Sequence, residues 1–436
     1  MLRRLYTALF ALLVPALLAR LYLRSRHAGT TALRWRERLG YYREPAKGGA
    51  PIWIHAVSVG ETMAAVPLVR ALQEQFEDRS ILLTTTTATG ADTVARMLGD
   101  SVQHAFFPYD LPSAVQRFVE HFRPRILLVM ETELWPNTLA VCHRRGLPIV
   151  LANARLSARS LRGYLRVAAL SREIVRSIDH IAAQTSDDAA RFIRLGADPQ
   201  RLAVIGSLKF DLDLPASVHE QAAAVRRDLG VNRPLLMAAS TREGEEALVL
   251  DAFAHITAQL PHALLLLVPR HPERFDEVAQ LCASRGVRFR RRSQSAQCDE
   301  QDQVYLLDSM GELPRHYAAA DVAFVGGSLL PFGGHNVLEP AVLGRPVLVG
   351  PHTFNFTEIV RLLEDAGALV VVADARALAQ AALHWLRDSN ERDRVGGVAR
   401  DIVHRHRGAT HRTVGVVREL LGVAPLSHQA VHDGSR

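Results

Sequence analysis

Pro51-Ile52-Trp53-Ile54-His55-Ala56-Val57-Ser58-Val59-Gly60-Glu61 runs from an apolar, strand-like segment through a turn into helical periodicity that lasts to Gln73. A short continuous apolar run followed at once by a helix marks a strand buried on both faces, as in a parallel sheet. The pattern recurs downstream, with strands predicted at Ile81 to Thr86, Arg125 to Met130, Pro148 to Ala152, His180 to Gln184 and Leu202 to Ile205. A second series follows Asp211-Leu212-Asp213-Leu214-Pro215, a polar stretch that reads as a hinge. Its strands are Leu235 to Ala239, Ala263 to Val268, Val304 to Leu307, Val322 to Val325, Pro346 to Val349 and Leu369 to Val372. Two doubly wound, Rossmann-like α/β domains on a short linker predict an interdomain cleft at the C-terminal ends of both sets of strands.

The chain has 436 residues, long enough for two or three domains with ample core. Hydrophobic residues at 48% and charged residues at 22% exclude a mainly disordered chain. Lys+Arg 52 against Asp+Glu 45 leaves a net charge of +7, which favours an anionic surface or substrate. Nucleic acid is not expected, because no basic module with interleaved aromatics, zinc finger or recognition helix is present. Cys142, Cys282 and Cys298 stand far apart with no CxxC spacing, so neither a disulfide framework nor a zinc knuckle is available, and a reducing compartment fits. The turn after the first strand lacks GxGxxG spacing and no GxxxxGK[ST] occurs, which argues against a dehydrogenase and a P-loop kinase.

Leu5 to Leu23 is apolar apart from Thr7 and Arg20, close to the ~20 residues that cross a bilayer. Arg3 and Arg4 precede it; Arg20, Arg24, Arg26, Arg34, Arg36 and Arg38 follow, against a cleavable signal and for an uncleaved anchor with the body on the cytoplasmic side. A buried first helix is the plain alternative, and Pro15 and Arg20 also allow an interfacial helix. The predicted boundaries are an anchor at 1–26, two Rossmann-like domains at 27–214 and 215–424, and a polar tail at 425–436.

Several strand ends carry candidate chemistry. Glu61 opens a helix in the crevice and could serve as general base, although a helix N-terminus would lower its basicity; the alternative is an ordinary first-turn acid. Glu131 emerges from the apolar strand Ile126 to Met130 and must be paired or sit in a site. Lys209 faces the same side, with Asp211 as its plain partner. Pro269 and Arg270 follow another strand, where the arginine could fork onto a phosphate or carboxylate. A strand ends in Gly326-Gly327, the Pro-Phe-Gly-Gly-His loop follows, and the helix start at Asn336-Val337-Leu338-Glu339 would present free amides to a phosphate, with the second glycine pair letting backbone approach a ligand and Glu339 accepting from ribose hydroxyls; a simple capping box is the alternative. Arg155, Arg159, Arg162 and Arg166 would form one stripe if Ala154 to Ala169 is helical, suited to an acidic lipid headgroup or merely solvated.

Taken together, HAVSVGE, METELWPN, NARLSARS, GSLKFD, PRHPERF, DSMGEL, FVGGSLLPFGGHNVLEP and GPHTFNF resemble the 3-deoxy-D-manno-octulosonic acid (Kdo) transferases of lipopolysaccharide synthesis, in order to about residue 420. The resemblance implies a GT-B fold and an inverting transfer of Kdo from CMP-Kdo to the phosphorylated lipid A precursor, at the cytoplasmic face of the bacterial inner membrane. It implies Glu61 as base and Glu131 and Lys209 as transition-state stabilisers. Pro269, Arg270, Met310, Gly311, Glu312, Asn336, Val337, Leu338 and Glu339 match its CMP-binding segments. Departures are mild: Ser207 where Asn is commoner, Arg242 in place of His, and Val337 in place of Pro. No metal and no cofactor beyond the donor substrate are expected. A nucleotide-sugar epimerase of the same fold is the competing enzyme and a non-enzymatic lipid-binding protein the competing class.

Overall fold

Strands buried on both faces require helices on both faces, and the chain meets that requirement twice. The computed structural model describes residues 1–25, 34–45, 47, 49–212, 214 and 217–423, so the anchor boundary at 26–27, the hinge residues Asp213 and Pro215, and the tail 425–436 lie outside the described residues. The first unit contains β1 (Ile52–His55), β2 (Ile81–Thr85), β3 (Gln103–Phe106), β4 (Ile126–Met130), β5 (Ile149–Ala154), β6 (His180–Ala183) and β7 (Leu202–Val204). They form one parallel sheet in the order β3-β2-β1-β4-β5-β6-β7, with Ile52 of β1 opposite Ile81 on one side and Ile126 on the other. Alternation along β1 sends Ile52 and Ile54 to the face covered by helices Val59–Gln75 and Ala88–Leu98, and Trp53 to the face covered by Pro112–Phe122 and Pro136–Arg144.

The second unit repeats the scheme with β8 (Leu235–Thr241), β9 (Leu264–Pro269), β10 (Phe289–Arg291), β11 (Val304–Leu306), β12 (Val322–Val325), β13 (Val347–Val349) and β14 (Leu369–Val371). Its order is β10-β11-β9-β8-β12-β13-β14, again wholly parallel. Chain direction across each sheet reverses at one place, between β1 and β4 and between β8 and β12. In open parallel sheets the loops beyond such a switch point part and leave a crevice, which is where ligands bind. The loops after β1 and β4 carry Glu61 and Glu131, and those after β8 and β12 carry Arg242 to Glu245 and Gly326 to Leu329.

Three features differ from the sequence-based expectation. The edge strands β3 and β10 were not predicted, because Gln103 and His104, or Arg290 and Arg291, interrupt the apolar run that marks a central strand. Second, the predicted boundary at 424 is displaced, since the first unit comprises Met1–Asp211 together with the chain from Arg407 onward, and the second Leu212–His406. Helix Ala409–Leu420 returns to the first unit and packs Ala409, Val414 and Val417 into the core beneath Val59–Gln75. Asp211 fastens that return, its carboxylate accepting from the amides of Gly408 and Thr410 at 2.6 Å each. Third, the predicted helix over Ala154 to Ala169 is instead Ala158–Leu165, capped by Ser157, so Arg155 lies outside it while Arg159, Arg162 and Arg166 remain exposed.

The N-terminal helix Leu2–Ser25 is long and apolar enough over Leu2–Leu23 to cross a membrane, by length and composition. Leu5, Leu9, Leu12 and Leu13 are exposed, so it is not a buried first helix.

Candidate active site

Glu61 sits in the first turn of Val59–Gln75, where Ser58 is the N-cap. The Ser58 hydroxyl donates to Glu61 Oε1 and the Val57 amide to Oε2, both at 2.9 Å, and Ser58 Oγ in turn accepts from the Glu61 amide. This reciprocal cap fixes the side chain in one place. The carboxyl is 8% exposed, and burial, helped by Glu133 and Glu131 against the Val57 and Ser58 hydrogen bonds, pushes its pKa up to about 7. Desolvation and two neighbouring carboxylates thus outweigh the hydrogen bonds donated by Val57 and Ser58. A carboxyl near 7 is half ionised at neutral pH and matched to accepting a proton from a hydroxyl.

Glu131 leaves β4 with left-handed backbone at φ 53°, its amide donating to the Ala152 carbonyl at 2.9 Å. Asn153 near the end of β5 and Ser240 near the end of β8 are left-handed too, at φ 53° and 58°. Strain of this kind, about 1–3 kcal/mol per residue, persists where surrounding structure imposes it, often at functional sites. Glu133, two residues beyond Glu131, has its pKa raised by burial and by the Glu131 charge. It is the third member of an acidic group that sequence reasoning left unassigned. The signal was present in a second carboxylate inside the same turn, but its closeness to Glu61 depends on β1 and β4 being neighbours.

Lys209 lies in the turn Leu208–Phe210, which packs against Val59–Gln75 and is held by Asn153, whose side-chain oxygen accepts from the Leu208 amide at 3.1 Å. Glu61, Glu131 and Lys209 thus all stand at the C-terminal edge of the first sheet. His55, in the same motif as Glu61, is structural: it stacks on Phe107 at 3.7 Å and burial holds it neutral, with a pKa of about 3.

In the second unit the first glycine pair does not offer free amides. The fully buried carboxylate of Glu245 accepts from the amides of Arg242 at 2.9 Å, Ser328 at 2.8 Å and Leu329 at 2.8 Å, and from that of Gly327. The Glu245 side chain therefore fills the nest that the first glycine pair forms. Glycine at 326 is imposed by packing, since a Cβ there would stand 2.8 Å from the Ser240 carbonyl oxygen and 2.7 Å from Thr241 Cα. Sequence reasoning missed Glu245 because three of these four partners lie more than eighty residues away.

Around this nest, at the ends of β8, β9 and β12, the charge is positive. Arg242 contacts the His271 ring nitrogen and lies over Phe332 at 4.7 Å. His335 is kept neutral, with a pKa of about 4, by burial and then by Arg270, Arg242 and His271, and its Nε2 finds no partner among the described residues. Asn336 accepts from the Leu338 amide at 3.1 Å and donates to Glu339 Oε1 at 3.2 Å. Burial raises the Glu339 pKa, against Asn336 and Arg270. Both members of the expected capping pair are thus present, but Glu339 is held by the Asn336 side chain. Pro269 ends β9, and the Arg270 amide donates to the Thr241 carbonyl at 3.0 Å. Val337 and Leu338 are buried beneath this turn.

Met310, Gly311 and Glu312 form the turn after β11 on the same sheet edge. Burial would raise the Glu312 pKa, but hydrogen bonds from Arg315 and Arg292 prevail and lower it. Its carboxylate is already engaged, whereas Met310 is 60% exposed and Gly311, at φ 82°, has open space where a side chain would be. The exposed part of this segment is therefore its apolar and backbone surface.

Residues 33–212 match the family of 3-deoxy-D-manno-octulosonic-acid transferases (kdotransferases), and residues 238–401 match glycosyl transferases group 1. The 3-deoxy-D-manno-octulosonic acid transferase of Haemophilus influenzae is 41% identical over 421 residues, covering 95% of this chain and 98% of that protein. That of Bordetella pertussis is 43% identical over 389 residues, covering 87% and 90%. Among solved structures, a putative UDP-N-acetylglucosamine 2-epimerase from Listeria monocytogenes superposes with a TM-score of 0.55 over 85% of this chain and 96% of that one, at 16% identity. The last is a likeness of fold alone and gives the epimerase reading no support beyond the shared GT-B architecture. With sequence identity of this extent and both domain families in order, the chain is a glycosyltransferase and belongs to the 3-deoxy-D-manno-octulosonic acid transferase family.

Proposed function

We propose that this chain transfers Kdo from CMP-Kdo to the phosphorylated lipid A precursor, with Glu61 as general base. The observation that carries the assignment is the Glu61 carboxyl, fixed by Ser58 and Val57 and poised at about 7. Glu61 takes the proton of an acceptor hydroxyl as that oxygen bonds to the anomeric carbon of Kdo. The bond from that carbon to the phosphate oxygen breaks on the opposite face, its electron pair leaves with CMP, and the anomeric configuration inverts. CMP departs as a stable phosphate anion, so no second carboxyl acid is needed to protonate it. Arg270 and Lys209 are the cations suited to the developing charge, and Glu131 keeps the transition-state-stabilising role that the resemblance implies.

Membrane association at the cytoplasmic face of the bacterial inner membrane belongs to the same proposal. It is supported by the exposed leucines of Leu2–Ser25 and the arginines at its ends, and it brings the enzyme to a lipid acceptor. The proposed reaction uses neither a metal nor a cofactor, and nucleic acid is not a partner. Membrane-extracted protein and its Glu61→Ala variant, incubated with CMP-Kdo and lipid A precursor, are compared by mass spectrometry of the glycolipid. Kdo mass increments in the wild type that vanish in the variant are expected. Product undiminished in the variant would discard Glu61 as base, and loss of wild-type turnover in EDTA, restored by Mg²⁺, would overturn metal independence.

A further inference from the structure

The turn that carries Glu131 and Glu133 runs directly into helix Pro136–Arg144, and the first free amides of that helix are held by a residue from another loop. Asp110, 1% exposed, accepts from the Asn137 amide at 3.0 Å and from the Thr138 amide and hydroxyl at 2.7 Å each. Its own carbonyl accepts from the Asn137 side-chain amide at 2.7 Å. The Thr7 hydroxyl of the N-terminal helix shares its one proton between the Arg3 carbonyl at 2.8 Å and the remaining Asn137 oxygen at 3.0 Å, and Tyr6 of the same helix hydrogen-bonds Asp110.

Further contacts continue this seat along one side of the helix. Arg3 pairs with Glu173 at 3.0 Å, Phe10 meets the edge of Tyr109 at 6.3 Å and Val14 is buried. Positions 3, 6, 7, 10 and 14 share one helical face, while Leu5, Leu9, Leu12 and Leu13 are exposed. A mere tether requires apolar surface and nothing else. This one carries a hydroxyl pair aimed at the two residues that fix the end of the acidic turn.

We propose that the N-terminal helix is a positioning element of the acceptor-side site: through Tyr6 and Thr7 it locks Asp110 and Asn137, and with them the turn that carries Glu131 and Glu133. The catalytic part of this inference rests on the transferase reading above, whereas the coupling of helix to turn stands apart from it. Tyr6, Thr7, Asp110 and Asn137 are positioning residues and touch no substrate in this scheme.

The test uses the full chain with Tyr6→Phe and Thr7→Val combined, which keeps the helix apolar and near its native shape. Amide hydrogen exchange at Asn137 and Thr138 is expected to quicken on the order of tenfold, because the lock has lost the Tyr6 hydrogen bond and the shared Thr7 one. The kcat for Kdo transfer in detergent is expected to fall on the order of tenfold while KM for CMP-Kdo stays within about twofold, the mark of misplaced groups and an intact donor site. Sedimentation with phosphatidylglycerol-containing vesicles should not change. A Leu5→Ala and Leu9→Ala variant, altered on the opposite face, should weaken vesicle sedimentation and leave exchange at Asn137 and Thr138 at the wild-type rate. Unchanged exchange in the Tyr6 and Thr7 variant, equal quickening in both variants, or quickened exchange with wild-type kcat would each overturn the proposal. Wild-type protein that makes no glycolipid would instead sink the transferase reading and leave exchange to judge the coupling.

Discussion

Replacing Glu61 by Gln should stabilise the first unit at alkaline pH and destabilise it in acid. The carboxyl titrates near 4.5 when unfolded and at about 7 when folded, so between those values the folded state binds more protons and loses stability as pH rises. At 1.36 kcal/mol per unit of pKa difference, the wild type has lost about 3 kcal/mol by pH 8. Gln cannot ionise and escapes that loss, but its single oxygen keeps only one of the two hydrogen bonds from Val57 and Ser58, a cost of about 1 kcal/mol. The variant should gain about 2 kcal/mol at pH 8, or roughly 4–8 °C in Tm for a unit of this size, and lose about 1 kcal/mol at pH 4. Trp35, Trp53 and Trp135 belong to the first unit and only Trp385 to the second, so thermal unfolding followed by tryptophan fluorescence reports mainly on the relevant unit. A shift of the same sign at both pH values would refute the reasoning, because it would mean that the carboxyl is not held neutral by its surroundings.

Other consequences of the site geometry can be measured directly. The acid limb of kcat/KM, which should rise through about pH 7 in the wild type, should move to lower pH in Glu133→Gln because a like charge beside Glu61 is gone; an unmoved limb would remove Glu133 from the group. Glu245→Ala should destabilise the second unit by roughly 3–5 kcal/mol in urea titrations, since four buried amide donors lose their acceptor. A loss below about 1 kcal/mol would mean that the nest is not held by that carboxylate. Gly326→Ala should cost roughly 2–4 kcal/mol through the clash with the Ser240–Thr241 backbone, and wild-type stability would show that the β8 and β12 ends are looser than described.

What could be read from the chain itself was local. Runs such as Leu264 to Leu267 announce central parallel strands because burial on both faces leaves no polar position, and Glu131 at the end of such a run stands out for the same reason. The edge strand Phe289–Arg291 is invisible by this criterion, since its arginines are what an edge requires. The raised Glu61 pKa was not legible in the chain, because the helix N-terminus is a feature of neighbouring residues, whereas burial and the Glu131 and Glu133 charges arrive through the fold. Glu245 carried no signal in the chain, because its bonds to the amides of Gly327 to Leu329 exist only once the fold brings them together. The Tyr6 and Thr7 contacts were hidden inside a segment whose composition speaks only of lipid.

Helix Ala409–Leu420 makes the first unit discontinuous, with the whole of Leu212–His406 interposed. A ribosome adding roughly 5–20 residues per second needs on the order of 10–40 s to traverse that stretch. Throughout that interval the underside of Val59–Gln75 waits without its last partner, while the second unit is emerging as an uninterrupted piece able to fold first. The order of maturation is therefore the reverse of the order of synthesis: the half that begins the chain is completed last. A premature stop just after His406 would leave every residue of the Glu61 turn in place and still strike at that turn, because the surface supporting its helix is supplied at the far end of translation.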